Sequence, residues 1–219
     1  MREIAFAEIV DAVARMCGQA CCKLPEDVLS ALQVSISQEQ SPLGKQILTT
    51  CVNNAAIASS EKIPLCQDTG FSVYFVEIGD GIRVLGGGTI SDAIQEGTRK
   101  GYRDAFLRAS IVRDPLFDRI NTKDNTPAVI HIDIIPGDHI RILFAPKGGG
   151  CENKSYLAML MPSDGVEGVV DFVVRSVAGA GGDACPPVIV GVGIGGTSDK
   201  AMYLAKKALF RRPLGAHHL

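Results

Sequence analysis

The glycines of this chain are not scattered; they gather at Gly86 to Gly88, Gly148 to Gly150, Gly179 to Gly182 and Gly191 to Gly196. Glycine permits a sharp turn or a close approach of backbone to another group, and it weakens the interior of a helix or strand. Each cluster therefore marks the end of a regular element and the start of a loop able to line a site. Well-patterned segments lie between the clusters, which sets them apart from low-complexity sequence.

Those segments change character once. From Ile4 to about Ser60, apolar residues recur at helical spacing in three stretches. The stretches are divided at Leu24-Pro25-Glu26-Asp27 and at Ser41-Pro42, where serine can cap a helix and proline can open one. After Pro64, Phe71-Ser72-Val73-Tyr74-Phe75-Val76-Glu77-Ile78 reads as a strand. A helix from about Ile90 to Arg108 follows. Pro127 to Ile135 and His139 to Ala145 both alternate and are β-branched, and the turn Pro136-Gly137-Asp138 between them predicts an antiparallel hairpin. Asp164 with Glu167 predicts a capping box opening a helix that ends at Gly179. Pro187 to Val192 reads as a short buried strand and Thr197 to Phe210 as a last amphipathic helix. A chain of 219 residues can bury a sizeable core. The expected fold class is α+β: a helical N-terminal layer over residues 1–62, then a mixed or antiparallel sheet with packed helices over residues 63–219, together one continuous domain.

Lys plus Arg number 22 against 24 Asp plus Glu, and a net charge of -2 provides no general field for nucleic acid or an anionic membrane. Any anion site must be local. The residues Met1 to Glu8 break their apolar character with acidic side chains, unlike a signal peptide, and no stretch approaches the ~20 apolar residues of a membrane span. A cytoplasmic protein without nucleic-acid or membrane partners is expected. The pair His217-His218 is too short a run to read as a purification tag.

In a reducing compartment the seven cysteines, an odd count, are thiols or metal ligands before they are disulfides. Cys17, Cys21, Cys22 and Cys51 fall within helical patterns, where cysteine behaves as a small apolar side chain. Cys17 and Cys21 share a helix face, but no histidine precedes His131 to complete a metal site with them. Cys66, Cys151 and Cys185 instead lie in Gly/Pro-rich loops, whose irregular backbone leaves N–H groups free to point at sulfide or substrate oxygen. Their spacing is too wide for a zinc ribbon or a ferredoxin run and leaves a shared metal site open.

Four motifs occur in order: Pro64-Leu65-Cys66-Gln67-Asp68-Thr69-Gly70, Leu107-Arg108-Ala109-Ser110, Ala145-Pro146-Lys147-Gly148-Gly149-Gly150, and Cys185-Pro186-Pro187 leading into Gly191 to Gly196. On these, the chain resembles the α part of class I (iron–sulfur) fumarases and L-tartrate dehydratases over most of its length. The resemblance implies a [4Fe–4S] cluster held by three cysteines, with Cys66 and Cys185 matching two of them. The family's third cysteine lies beyond the segment corresponding to Leu219, and Cys151 stands where many relatives have serine. The resemblance further implies a substrate site lined by Gln67, Asp68, Arg108, Gly149 and Gly150, with Asp68 as the acid/base group and Arg108 clamping a carboxylate of a C4 dicarboxylate. Further groups would come from a β-type subunit or domain, within a homodimer of αβ units. Lys147 is a further candidate for an anion contact, while Glu152 and Asn153 are expected to fix their loop.

Two other readings compete. Gly191-x-Gly193-x-x-Gly196 has the form of a dinucleotide-binding fingerprint, which would make the chain a nicotinamide-dependent dehydrogenase. That motif expects an acidic residue ~20 positions on, yet none occurs from Lys200 to Leu219. Close packing of the last helix on its strand is the simpler use of these glycines. The third reading is a non-catalytic α-type assembly subunit without a complete cluster.

Overall fold

A computed structural model describes residues 1–215; residues 216–219, with the pair His217-His218, lie outside the described residues. The chain divides into two compact units, Met1–Gly148 and Gly149–Leu219.

The first unit opens with strand β1 (Arg2–Ala5) and then three helices, α1 (Phe6–Cys22), α2 (Glu26–Gln38) and α3 (Pro42–Glu61). As expected, α3 starts with Pro42 in its first turn, and the Ser41 hydroxyl accepts from the Gly44 N–H. Strands β2 (Phe71–Gly79) and β3 (Ile82–Leu85), helix α4 (Ile90–Asp104), and strands β4 (Val129–Ile135) and β5 (Ile140–Lys147) follow. Helices and sheets together make the unit α+β. β1 pairs with β3 in a two-stranded parallel sheet, which the helical pattern from Ile4 concealed. The second sheet has the order β4-β2-β5, with β2 parallel to β4 and antiparallel to β5.

The predicted β4–β5 hairpin is therefore corrected: the two strands flank β2 instead of pairing. The loop between them steps across the end of β2 and is pinned there. Gly79 N–H donates to the His139 carbonyl, Asp80 N–H to that of Ile135, and Gly81 N–H to that of Gly137. The reason lies in β2 itself, whose Val73, Tyr74, Phe75 and Val76 are all buried. Each such side chain gains about 1.5–3 kcal/mol from leaving water, so the most apolar strand takes the centre.

Tyr74 and Val76 face a core built with Ile9, Val10, Val13 and Cys17 of α1 and Ile90, Ala93 and Ile94 of α4. Segments on both sides of residue 62 thus share one core. The two helices approach closely because α4 presents glycine where they meet. A Cβ on Gly97 would lie 2.6 Å from the Val13 Cβ, and one on Gly101 2.7 Å from that of Cys17. α4 starts with a full capping box, Thr89 and Asp92 bonding each other's backbone N–H.

The second unit contains the short helix α5 (Gly149–Glu152), a 3-10 turn at Pro162–Asp164, α6 (Gly165–Ala180), a second 3-10 turn at Gly181–Ala184 and α7 (Ser198–Ala208). Asp164 does not cap α6 as predicted. Its carboxylate instead accepts from the Met161 N–H, closing the turn before the helix. Nor is Pro187 to Val192 a buried strand: it lies outside every sheet, with Val188, Ile189, Val190 and Val192 exposed. Apolar composition alone does not make a strand without a neighbour to complete its hydrogen bonds. Among the described residues no helix is long and apolar enough to cross a membrane.

Candidate functional site

Antiparallel pairing of β2 with β5 sets Phe71, where β2 begins, opposite Lys147, where β5 ends. The loop Cys66 to Gly70, entering β2, therefore meets the segment Ala145 to Gly148, leaving β5. Gly70 makes the junction possible, because it has φ +65° and a Cβ there would fall 2.1 Å from the Lys147 carbonyl oxygen. Only glycine satisfies both demands. Two of the sequence motifs are thus neighbours because of strand direction and register.

The third motif joins through hydrogen bonds. The Thr69 hydroxyl donates to the Arg108 carbonyl at 2.8 Å, and the Tyr102 hydroxyl to the Thr69 carbonyl at 3.0 Å. Beneath both loops sits Asn125, wholly buried and in the left-handed region at φ 57°. Its amide nitrogen donates to the Gly70 carbonyl and the Ser72 hydroxyl, and its oxygen accepts from the Ser110 N–H at 2.7 Å. One side chain thereby ties the Cys66–Gly70 loop to the Arg108 loop. Sequence reasoning singled out neither Asn125 nor Thr69. The run Asp124-Asn125-Thr126-Pro127 was the available signal, since Asn tolerates positive φ and Asn or Asp shortly before Pro marks a turn.

Within this frame Cys66, Gln67 and Arg108 are exposed and Asp68 is half-buried. The Arg108 guanidinium has no hydrogen bond or ion pair among the described residues. The Cys66 sulfur accepts from the Asp68 N–H at 3.3 Å.

Gly149, Gly150, Cys151 and Cys185 belong to the second unit. Gly149 and Gly150 open α5, and a Cβ on Gly150 would lie 3.3 Å from the Asp183 carbonyl and 3.8 Å from the Cys185 sulfur. Cys185 is exposed and left-handed at φ 57°, just after the Gly181–Ala184 turn. Two ion pairs hold this loop pair: Lys154 with Asp183 at 2.9 Å, and Lys206 of α7 with Glu152 at 2.6 Å. Glu152 thus anchors its loop, as expected. Gly191 and Gly193 pack against α7, where a Cβ on each would fall 2.1 Å from the carbonyl oxygens of Ala205 and Ala201. Their smallness is used for packing, and no strand precedes them as a dinucleotide fingerprint requires.

The cysteines divide by environment. Burial pushes the Cys17 thiol up to about 11 and the Cys21 thiol up to about 12, the latter helped by its neighbours Cys17 and Cys22. Cys17 also lies 3.3 Å from the Tyr74 hydroxyl inside the core. Such thiols stay protonated near neutrality and make poor ligands. Cys66, Cys151 and Cys185 are exposed. Among the described residues no group of three or more His, Cys, Asp or Glu side chains is gathered to hold a metal ion.

A family model described as Fumarate hydratase (Fumerase) matches residues 10–219. The chain is 41% identical over 214 residues to the "Putative L(+)-tartrate dehydratase subunit alpha" of Methanocaldococcus jannaschii, covering 96% of this chain and 75% of that protein. It is 35% identical over 223 residues to the L(+)-tartrate dehydratase subunit alpha of Escherichia coli, covering 99% of this chain and 71% of the relative. The protein of the same description from Shigella boydii matches to the same extent.

Proposed function

The chain belongs to the fumarate hydratase (fumerase) family, and on that premise we propose that it is the α part of an iron–sulfur-dependent hydro-lyase. It would add or remove water reversibly on a C4 dicarboxylate, in the cytoplasm, together with a β-type subunit or domain and in a dimer of αβ units. The observation that carries this reading is the meeting of three motifs at one end of β2. There the Cys66–Gly70 loop, the Arg108 loop and the end of β5 are joined by strand register and by the bonds of Thr69 and Asn125. The tartrate dehydratase and α-subunit descriptions of the relatives support the reaction class and the need for a partner.

Cys66 and Cys185 suit thiolate ligation in type, exposure and irregular backbone setting, and Cys66 already accepts a backbone N–H. By the resemblance they account for two of three ligands, and among the described residues no group of three or more His, Cys, Asp or Glu side chains is gathered to hold a metal ion. A bound [4Fe–4S] cluster would supply a Lewis acid for the substrate's leaving hydroxyl. The chain's own residues would do the rest. The Arg108 fork would pair with a substrate carboxylate, and the Gln67 amide and the N–H groups of Gly149 and Gly150 would donate to substrate oxygens. The Asp68 carboxylate would take the proton from the carbon next to the one bearing the hydroxyl, and return it in the reverse direction.

A dicarboxylate brings two negative charges, and burying them needs several cationic or N–H partners. Arg108 is one, so further partners are required, and the β part would bring them. The test is an anaerobic assay of malate and L-tartrate dehydration by the reconstituted chain alone and with a candidate β polypeptide. Turnover only with the partner is expected. Robust turnover by the chain alone would defeat the need for a β part, and no turnover with any combination that carries iron and sulfide would defeat the hydro-lyase reading.

A further inference from the structure

We propose that Thr69 is a positioning residue for substrate binding, its hydroxyl setting where Arg108 presents its guanidinium relative to Gln67 and Asp68. The inference rests on the reading of Arg108 as a carboxylate-binding residue. Arg108 lies in a stretch without helix or strand, just past the end of α4 and after Phe106 at a positive φ of 53°. Its backbone has no ladder to hold it in register. Leu107 before it donates its N–H to the Tyr102 carbonyl at 2.9 Å, and from Arg108 to Ser110 the loop is held by side chains. The Thr69 hydroxyl donates to the Arg108 carbonyl itself at 2.8 Å, while Asn125 and Asn121 hold its neighbours through the Ser110 N–H and the Ala109 carbonyl. A contact from the Ser110 hydroxyl to the same Arg108 carbonyl spans 3.5 Å, too long to substitute for it.

Thr69 is well suited to transmit position because it is itself fixed. It is 4% exposed, its carbonyl accepts from the buried Tyr102 hydroxyl, and the next residue, Gly70, is wedged against the Lys147 carbonyl. Asp68 and Gln67 precede it directly in the chain. The peptide that carries the proposed acid/base group and the bond that places the proposed carboxylate clamp therefore belong to adjacent residues. A shift in the Arg108 loop would move its guanidinium away from the place where the substrate carboxylate is met, and the loss of that paired contact weakens binding of the substrate.

The test uses the reconstituted enzyme with its β partner and compares Thr69→Val, which keeps the shape and removes the hydroxyl, with Thr69→Ser, which keeps the hydroxyl. Thr69→Val is expected to raise KM for the dicarboxylate by about tenfold, with kcat within about threefold of wild type and iron content unchanged, and Thr69→Ser to restore KM. Combined with Arg108→Ala, Thr69→Val should raise KM by less than about twofold more, because its effect passes through that arginine. Wild-type KM in Thr69→Val, or effects that simply multiply with those of Arg108→Ala, would overturn the inference while leaving the role of Arg108 standing. If Arg108→Ala itself leaves KM unchanged, the carboxylate-binding reading is what fails, and the positioning role falls with it. Tyr102→Phe removes the bond to the Thr69 carbonyl and is the second variant, judged by the same criteria should Thr69→Val not fold.

Discussion

Gly70 sits against the Lys147 peptide so closely that a methyl group on it would fall 2.1 Å from the Lys147 carbonyl oxygen and 2.3 Å from its carbonyl carbon. The obstacle is backbone at the junction of β2 and β5, which cannot swing aside as a flexible side chain would. Gly70→Ala also places a side chain at φ +65°. Left-handed strain and the clash together should cost more than about 3 kcal/mol. A marked fall in the urea unfolding midpoint is expected, and an unchanged midpoint would show that the loop can move away from β5.

The contact between α1 and α4 responds to added volume in the same direction. Gly97→Ala directs its methyl at Val13 and the Val10 carbonyl, and Gly101→Ala at Cys17 and the Ala14 carbonyl. Helix propensity alone would favour alanine by up to about 1 kcal/mol, so a net loss of about 1–3 kcal/mol in each variant would show that packing dominates. Urea titration of both variants measures the sign directly.

These packing relations explain which parts of the molecule were legible in the sequence. α1, α2, α3 and α7 follow from spacing and capping, because a helix satisfies its own hydrogen bonds and its pattern is local. β1 and the placement of β4 and β5 were not legible, since strand pairing is decided by partners far away in sequence. Pro136-Gly137-Asp138 has hairpin composition, yet the turn carries the chain over the end of β2. The motifs Cys66 to Gly70 and Arg108 could be read as separate pieces. What joins them could not, because the bonds of Thr69 and Asn125 link residues 39, 55 and 15 positions apart.

The buried thiols should make the protein sensitive to alkali. With the Cys17 thiol pushed up to about 11 and that of Cys21 up to about 12 from an ordinary 9.0, the fold favours their neutral forms. Burial raises the Tyr74 and Tyr102 hydroxyls as well. That contribution is complete below about pH 9 and is lost as pH rises through the folded values near 11 and 12. The urea midpoint should therefore decline progressively above about pH 9, and less steeply in Cys17→Ala. A flat profile to the alkaline limit would contradict this assignment.

Asp68→Asn keeps the shape of the side chain and removes a proton carrier, so turnover of the reconstituted αβ enzyme should drop by about a hundredfold or more with cluster content retained. An Asp68→Asn enzyme with near-normal kcat would remove Asp68 from the chemistry and leave it as a turn residue.

The division of the cysteines makes the most direct claim about cofactor chemistry. Cys66 and Cys185 are exposed on irregular backbone, whereas Cys17 and Cys21 of α1 are buried in the core and are held protonated. Iron and sulfide uptake requires thiolate reachable from solvent, so the two groups should behave oppositely. Cys66→Ser and Cys185→Ser should each abolish or sharply reduce the iron and acid-labile sulfide bound after anaerobic reconstitution, together with the brown absorbance that oxygen bleaches. Cys17→Ser should leave bound iron unchanged per folded molecule, because its serine replaces a thiol that faces Tyr74 and not solvent. Cys151→Ser separates a tolerated substitution from a further ligand, and because the resemblance matches only Cys66 and Cys185 to cluster ligands, little loss of iron is expected. Alkylation at about pH 8 offers a readout independent of the cluster: exposed thiolates react first, so Cys66 and Cys185 should be labelled well before Cys17 and Cys21. Undiminished iron and sulfide in both Cys66→Ser and Cys185→Ser would refute the ligand assignment, whatever the labelling order.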